Sequence, residues 1–204
     1  MTRFLALAAV CAAAFTFVAA PVPAGEFNTV LSIGDAAPAW ETLPGTDDNK
    51  HSLADLKDAK AVVVIFTCNH CPVAVANEDR FIAFAKEYEA KGVRVVAINV
   101  NNIEADKMPA MKERSAEKGF NFPYLYDESQ EIARAYGSSV TPEVFLLDGD
   151  RKIAYMGAFD DNQMDASRVS KTYLKTAVDA VLAGEGVEKK ETRPQGCGIQ
   201  YEAK

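Results

Sequence analysis

An α/β domain with a mixed central sheet and helices on both faces is predicted by three observations. A fully apolar run, Ala61 to Phe66, and a second apolar, β-branched run, Val93 to Val100, flank a segment of strong helix formers, Ala74 to Lys91. Strand, helix and strand in that order make a right-handed βαβ unit with parallel strands. Further on, Val140 to Asp148 is a third apolar run. It leads through Asp148-Gly149-Asp150-Arg151, a strong hairpin signal, into Lys152 to Met156, so this second pair is antiparallel.

The remaining elements follow from local chemistry. Ser32 to Trp40 reads as an extended lead-in, and Thr46 to Lys50 has the composition of a hairpin turn. Ser52 is placed to cap a short helical turn over Leu53 to Leu56. The helix beginning near Ala74 carries apolar positions at Phe81, Ile82, Phe84, Ala85 and Tyr88 and is stopped by Gly92. Glu104 to Lys118 reads as a charged, solvated helix with Pro109 near its first turn. Phe122 to Tyr126 is a short strand, Glu131 to Tyr136 a short helix ended by Gly137, and Ser170 to Leu182 a terminal amphipathic helix closed by Gly184.

The ends divide the chain into three parts. Residues 1–24 have the layout of a secretory signal: Arg3, then an apolar stretch from Phe4 to Ala20, then Val22-Pro23-Ala24 before Gly25. Cys11 lies inside that stretch, preceded by Val10 rather than a small residue, and is read as one more apolar residue of it. Residues 25–183 form the domain, and 184–204 a flexible C-terminal tail carrying Cys197. The expected location is exported, periplasmic or extracytoplasmic. A membrane partner is expected only if the leader stays uncleaved. The formal net charge is −7, which Arg3's removal makes one unit more negative, and an acidic, well-mixed surface excludes nucleic acid as the expected partner.

The chemistry concentrates in Cys68-Asn69-His70-Cys71-Pro72, directly after the first apolar strand. A cysteine delivered to a helix start meets unpaired N–H groups and the helix dipole, which favour a thiolate, so Cys68 is the expected nucleophile. Cys71, three residues on, can reach it and is the expected resolving thiol. A structural zinc site would have to draw its other ligands from Cys11, Cys197, His51 and His70, and no metal or other cofactor is expected. His51 lies in a turn and receives no role. His70, between the cysteines, is a candidate for redox tuning, because an imidazolium lowers a neighbouring thiol's pKa. With Cys11 removed, three cysteines remain, and an odd count in an oxidising compartment implies one pair and one exchanging or free thiol. Glycines on both sides expose Cys197, a candidate third redox thiol that could fold back on the centre or pair between molecules.

A CxxC after an apolar strand, Thr141-Pro142 opening a later strand, and a closing hairpin and helix resemble the thioredoxin-like superfamily. The lead-in Gly34-Asp35-Ala36-Ala37-Pro38 and the long insertion between strands resemble its peroxiredoxin-related AhpC/TSA and redoxin domains and the TlpA/ResA-like exported reductases. The likeness covers roughly residues 30 to 183. It implies a thioredoxin-like fold with an N-terminal extension, a cis peptide bond before Pro142, and a substrate platform at Thr141 and Pro142. The implied activity is thiol–disulfide exchange on protein or small-molecule thiols and disulfides, served by an unidentified redox partner protein. A histidine between the cysteines is similar to the Dsb-type oxidases, whereas the TlpA-like layout points to reduction.

Departures keep other readings open. Thioredoxins carry a buried acid six residues before the first cysteine, where Val62 stands, and a Trp just before it, where Thr67 stands; proton transfer must then use water, Glu143 or another group. Peroxiredoxins place Thr or Ser three residues before the reactive cysteine, where Ile65 stands, so a peroxiredoxin-like thiol peroxidase is an alternative without its motif. Copper-delivery members use a downstream histidine, and none follows His70; Cu(I) handling by two thiolates, or a non-catalytic binding module, complete the alternatives.

Overall fold

The computed structural model describes residues 25–203. The signal-type segment 1–24, with Arg3 and Cys11, lies outside the described residues. Among the described residues, no helix is long and apolar enough to cross a membrane.

A small hairpin of β1 (Leu43–Pro44) and β2 (Lys50–His51) precedes a 3₁₀ turn at Leu53–Leu56. The central strand β3 (Ala61–Phe66) is wholly buried. After it come α1 (Pro72–Glu89), β4 (Val93–Asn99), α2 (Met108–Lys118), β5 (Tyr124–Tyr126) and α3 (Glu131–Tyr136). The chain continues through β6 (Val140–Thr141), β7 (Glu143–Leu147), β8 (Ile153–Gly157), α4 (Tyr173–Ala183) and β9 (Cys197–Gly198). The main sheet has the order β5-β4-β3-β7-β8. β3 pairs in parallel with β4 and antiparallel with β7, and β7 and β8 form the antiparallel hairpin. The expected apolar run from Val140 is divided at Pro142, which follows a cis peptide bond, so Val140 and Thr141 leave the main sheet.

Strand periodicity distributes the core. Val63, Ile65, Val95, Ala97, Val144 and Leu146 face one way and pack against Phe81, Phe84 and Tyr88 of α1 and Leu174, Ala177 and Val178 of α4. Val62, Val64, Phe66, Ile98, Phe145 and Leu147 face the other way, where Leu31, Trp40, Leu53, Ala133, Tyr136 and Ile199 cover them. Helices are fixed to one another through polar contacts at their edges. Arg114 of α2 donates to both oxygens of buried Glu78 on α1, at 2.8 and 2.6 Å. The Tyr88 hydroxyl donates to Asp179 of α4 at 2.7 Å.

The expectation of a flexible tail over 184–204 is corrected by the fold. Met156 N–H donates to Lys190 O and Thr192 N–H to Met156 O, at 3.1 Å each. The Glu191 carboxylate accepts the N–H groups of Glu26, Phe27 and Asn28 at 2.7, 2.7 and 3.0 Å, joining the tail to the lead-in. Beyond this anchor β9 pairs with β6, and Ile199 is 9 % exposed within the second core layer. Backbone pairing and one buried apolar side chain outweigh the polar composition that suggested freedom.

Gly157 makes the anchor feasible. Its φ is +126°, and a Cβ there would lie 2.0 Å from the Thr192 carbonyl oxygen. Gly157→Ala is expected to lower unfolding free energy by at least ~2 kcal/mol, because strain and overlap add. Chemical denaturation of the purified variant checks this; an unchanged midpoint contradicts the anchor.

Candidate functional site

The site begins where β3 ends. The ladder extends one step further as Thr67 N–H donates to Ile98 O at 3.0 Å. Phe66 stands opposite Glu143 in the β3–β7 register. Two residues beyond Phe66 is Cys68, and two before Glu143 is Thr141, so the same register carries these two toward each other. The Cys68 sulfur lies 3.1 Å from Thr141 Oγ1. The Cys71 sulfur lies 3.1 Å from the Thr141 carbonyl oxygen. The cis bond to Pro142 follows directly. The residues that the sequence marks as nucleophile, resolving thiol and platform therefore meet at one residue.

Helix α1 starts at Pro72 with Cys71 in the N-cap position. Cys68 is therefore in the loop before the helix, and the dipole expected to lower its pKa acts nearer Cys71. Only 2 % of Cys68 is exposed. Burial pushes its thiol up from the ordinary value; the Thr141 hydrogen bond opposes this, and the Asp106 carboxylate adds to it. At rest Cys68 is a protected thiol rather than an exposed thiolate.

The cysteine pairing also differs from expectation. Cys71 is joined to Cys197, with Cα atoms 5.9 Å apart, and Cys68 is the free thiol. The tail strand brings this about: Thr141 stands opposite Cys197 and Val140 opposite Gly198 in the antiparallel β6–β9 pair. Cys197 packs against the cluster of Cys68, Cys71 and Ala74.

The chain has a further organising group that sequence reasoning missed. Asp106 is fully buried. One of its carboxylate oxygens accepts the N–H groups of Asn69 and His70 at 2.7 and 3.3 Å, and the other binds His70 Nδ1. Its own carbonyl accepts from Asn99 Nδ2 at 2.8 Å. The Asn69 side chain donates to Ala105 O at 2.8 Å and accepts from the Tyr124 hydroxyl at 2.9 Å. Tyr124 is buried, and burial raises its hydroxyl pKa well above the ordinary value. His70 is thus bonded to a carboxylate, and one of its ring nitrogens lies within 4.8 Å of the Cys68 sulfur. Asp106 sits in a charge-rich stretch that reads as a solvated helix; only the parallel pairing of β3 and β4, which brings their carboxyl ends together, marks it as part of the site.

Glu143, the candidate proton relay, is buried. Its carboxylate accepts from Ser138 Oγ and Ser139 N–H at 2.9 Å each, and burial raises its pKa. His51 binds Asp47 within the β1–β2 hairpin, at 3.0 Å. A Cys68 sulfur, a His70 nitrogen and an Asp106 oxygen lie within 4.8 Å of one another. A metal there would have to displace the His70–Asp106 bond and compete with two backbone donors.

The balance on Cys68 gives a directional test. The pH profile of iodoacetamide alkylation at Cys68 is expected to have its midpoint above the ordinary thiol value of 9.0. Thr141→Val, which removes a hydrogen bond to the thiolate, moves the midpoint up; Asp106→Asn, which removes a nearby negative charge, moves it down. Opposite shifts would contradict this account of the sulfur's surroundings.

Comparison with known proteins bears on the fold and the family. The crystal structure of a hypothetical protein from Sinorhizobium meliloti 1021 is similar at TM-score 0.81 and 35% identity, over 87% of this chain and 98% of that one. A candidate peroxiredoxin of Mycobacterium tuberculosis is 28% identical over 62% of this chain and 84% of its own length. The thiol:disulfide interchange protein DsbE of Yersinia pestis is 30% identical over 68% of this chain and 72% of its own. The Redoxin family matches residues 32–173, a span that begins at the lead-in, takes in the dithiol loop and the cis-proline, and ends at the start of α4. The chain therefore belongs to the Redoxin family, within the thioredoxin-like superfamily, and is a thiol oxidoreductase of that family.

Proposed function

We propose that the protein is a thiol–disulfide oxidoreductase in which Cys68 is the attacking thiol, Cys71 the resolving thiol, and Thr141-Pro142 the platform for the incoming chain. The observation that carries this reading is the convergence of both sulfurs on Thr141, each at 3.1 Å, beside the cis peptide. The likeness to an interchange protein supports it further.

In the reductive direction the Cys68 thiolate attacks one sulfur of a substrate disulfide. The substrate S–S bond breaks, a mixed disulfide forms, and the leaving thiolate takes a proton from water. The Cys71 thiolate, present once an external dithiol has reduced the Cys71–Cys197 bond and left as a disulfide itself, then attacks the Cys68 sulfur, releases the second substrate thiol and leaves Cys68–Cys71 oxidised. The reverse sequence oxidises a substrate dithiol. Ile65, fully buried three residues before Cys68, offers no hydroxyl to activate peroxide, and the raised Cys68 pKa weighs in the same direction, against a peroxidase.

A disulfide-bonded peptide, offered to the reduced full chain, tests these roles. Cys68→Ser is expected to lose ~100-fold or more in exchange rate, as removal of a nucleophile does. The double variant Cys71→Ser, Cys197→Ser is expected to accumulate a mixed disulfide at Cys68, visible by mass spectrometry. Full exchange without Cys68, or rapid turnover of hydrogen peroxide in place of peptide exchange, would overturn the reading.

A further inference from the structure

The tail is held by more than its disulfide. Ile199 N–H donates to Ser139 O at 3.0 Å, and the Tyr201 hydroxyl to Ser138 O at 2.7 Å. Gln130 is 1 % exposed, has φ of +62°, and serves the tail at both ends of its side-chain amide. Its Nε2 donates to Gln200 O at 2.9 Å and its Oε1 accepts from Glu202 N–H at 2.8 Å. Arg134 lies 4.3 Å over the Tyr201 ring and donates to Glu202 O at 2.6 Å. A buried polar side chain in a left-handed backbone conformation is costly unless it has a use. Here the amide oxygen and one amide hydrogen serve the tail, while Nε2 also donates to Val100 O at 2.9 Å. Gly196 is fitted as closely: a Cβ would lie 2.1 Å from the Thr141 carbonyl oxygen.

We infer that residues 196–199 are a resident stand-in for a partner's extended, cysteine-bearing polypeptide, and that Cys197 is a third exchanging thiol that opens and closes the platform. This rests on the exchange reading of Cys68 and Cys71. The strand occupies Val140-Thr141, the backbone that an incoming chain would pair with, and its cysteine is bonded to Cys71. The free Cys68 sulfur lies in the same buried cluster.

The step conserves sulfur oxidation state. The Cys68 thiol gives its proton to water, and its thiolate attacks the Cys71 sulfur. A Cys68–Cys71 bond forms as the Cys71–Cys197 bond breaks, and Cys197 leaves as a thiolate that takes up a proton. One disulfide and one thiol enter the step, and one of each leaves it. The tail then keeps only its noncovalent contacts, so a partner strand can replace it. A partner seated in the same way carries glycine before its cysteine, since a larger residue would meet the Thr141 carbonyl.

The full chain, equilibrated in a glutathione buffer and quenched by alkylation, is mapped by non-reducing peptide mass spectrometry. Wild type is expected to hold both Cys71–Cys197 and Cys68–Cys71 linkages. Gly196→Val is expected to shift their ratio toward Cys68–Cys71 about tenfold or more, because the strand can no longer seat. It should also raise the rate at which the chain's disulfide oxidises a dithiol polypeptide, while leaving that with reduced glutathione within about twofold. Cys197→Ser, which keeps the strand's shape, should raise the polypeptide rate as well. Absence of any Cys71–Cys197 linkage in wild type, an unchanged ratio in Gly196→Val, or no gain in either variant overturns the gate while leaving the exchange reading standing. A wild-type chain whose disulfide does not exchange with reduced glutathione overturns the exchange reading itself.

Discussion

Phe66 faces Glu143 across the antiparallel seam between β3 and β7, and the site is a consequence of where that pair falls. Each strand continues two residues past it, one to Cys68 and the other to Thr141. A one-residue slip would turn every side chain of β7 to the opposite core layer. Val144 and Leu146 would then exchange surroundings with Phe145 and Leu147, all four of which are fully buried. The same apolar packing that holds the sheet in register therefore holds the sulfur beside its hydroxyl. Thr141 then does three things: its side chain meets Cys68, its carbonyl meets Cys71, and its backbone stands opposite Cys197.

Asp106 is the second constraint, and it adds to the effect of burial on the sulfur. Its carboxylate fixes the Asn69 and His70 amides, so the loop between the cysteines has one conformation. The same negative charge disfavours a second one on Cys68. Geometry and reactivity are thus in opposition here: burial does most to keep Cys68 protonated, and the group that shapes its loop adds to it. His70 Nδ1 binds the same carboxylate.

Much of this was legible in the sequence because it rests on local signals. Val62 to Phe66 could only be a buried strand, Gly137 closed the short helix after Tyr136, and Asp148-Gly149 announced the hairpin. Cys68, Cys71, Thr141 and Pro142 could be singled out from their spacing and from family resemblance. Asp106 could not, because its burial depends on two parallel strands ending side by side, and its neighbours Glu104 and Lys107 are charged and form an ordinary exposed ion pair. The tail's order was equally hidden. Arg193 to Gly198 has the composition of a mobile segment, and what holds the segment and its continuation in place lies far away in sequence, on Gln130, Ser139, Thr141 and Gly157.

The stitch at Lys190 to Thr192 has a consequence for competition. It grips β8 and the lead-in by contacts that involve none of the cysteines, so the last dozen residues are leashed whatever happens to the sulfurs. From Thr192 to Cys197 the leash is five residues, a reach of about 17 Å at most. A strand on so short a lead has an effective concentration on the order of millimolar at its own groove. A visiting chain present at micromolar levels must bind roughly a thousandfold more tightly than the tail's free contacts to hold the groove by affinity alone. In the exchange we propose, covalent capture by Cys68 would remove that handicap. Leash length, rather than any single contact in the groove, sets how strongly the site selects for visitors that can form a bond over those that merely fit.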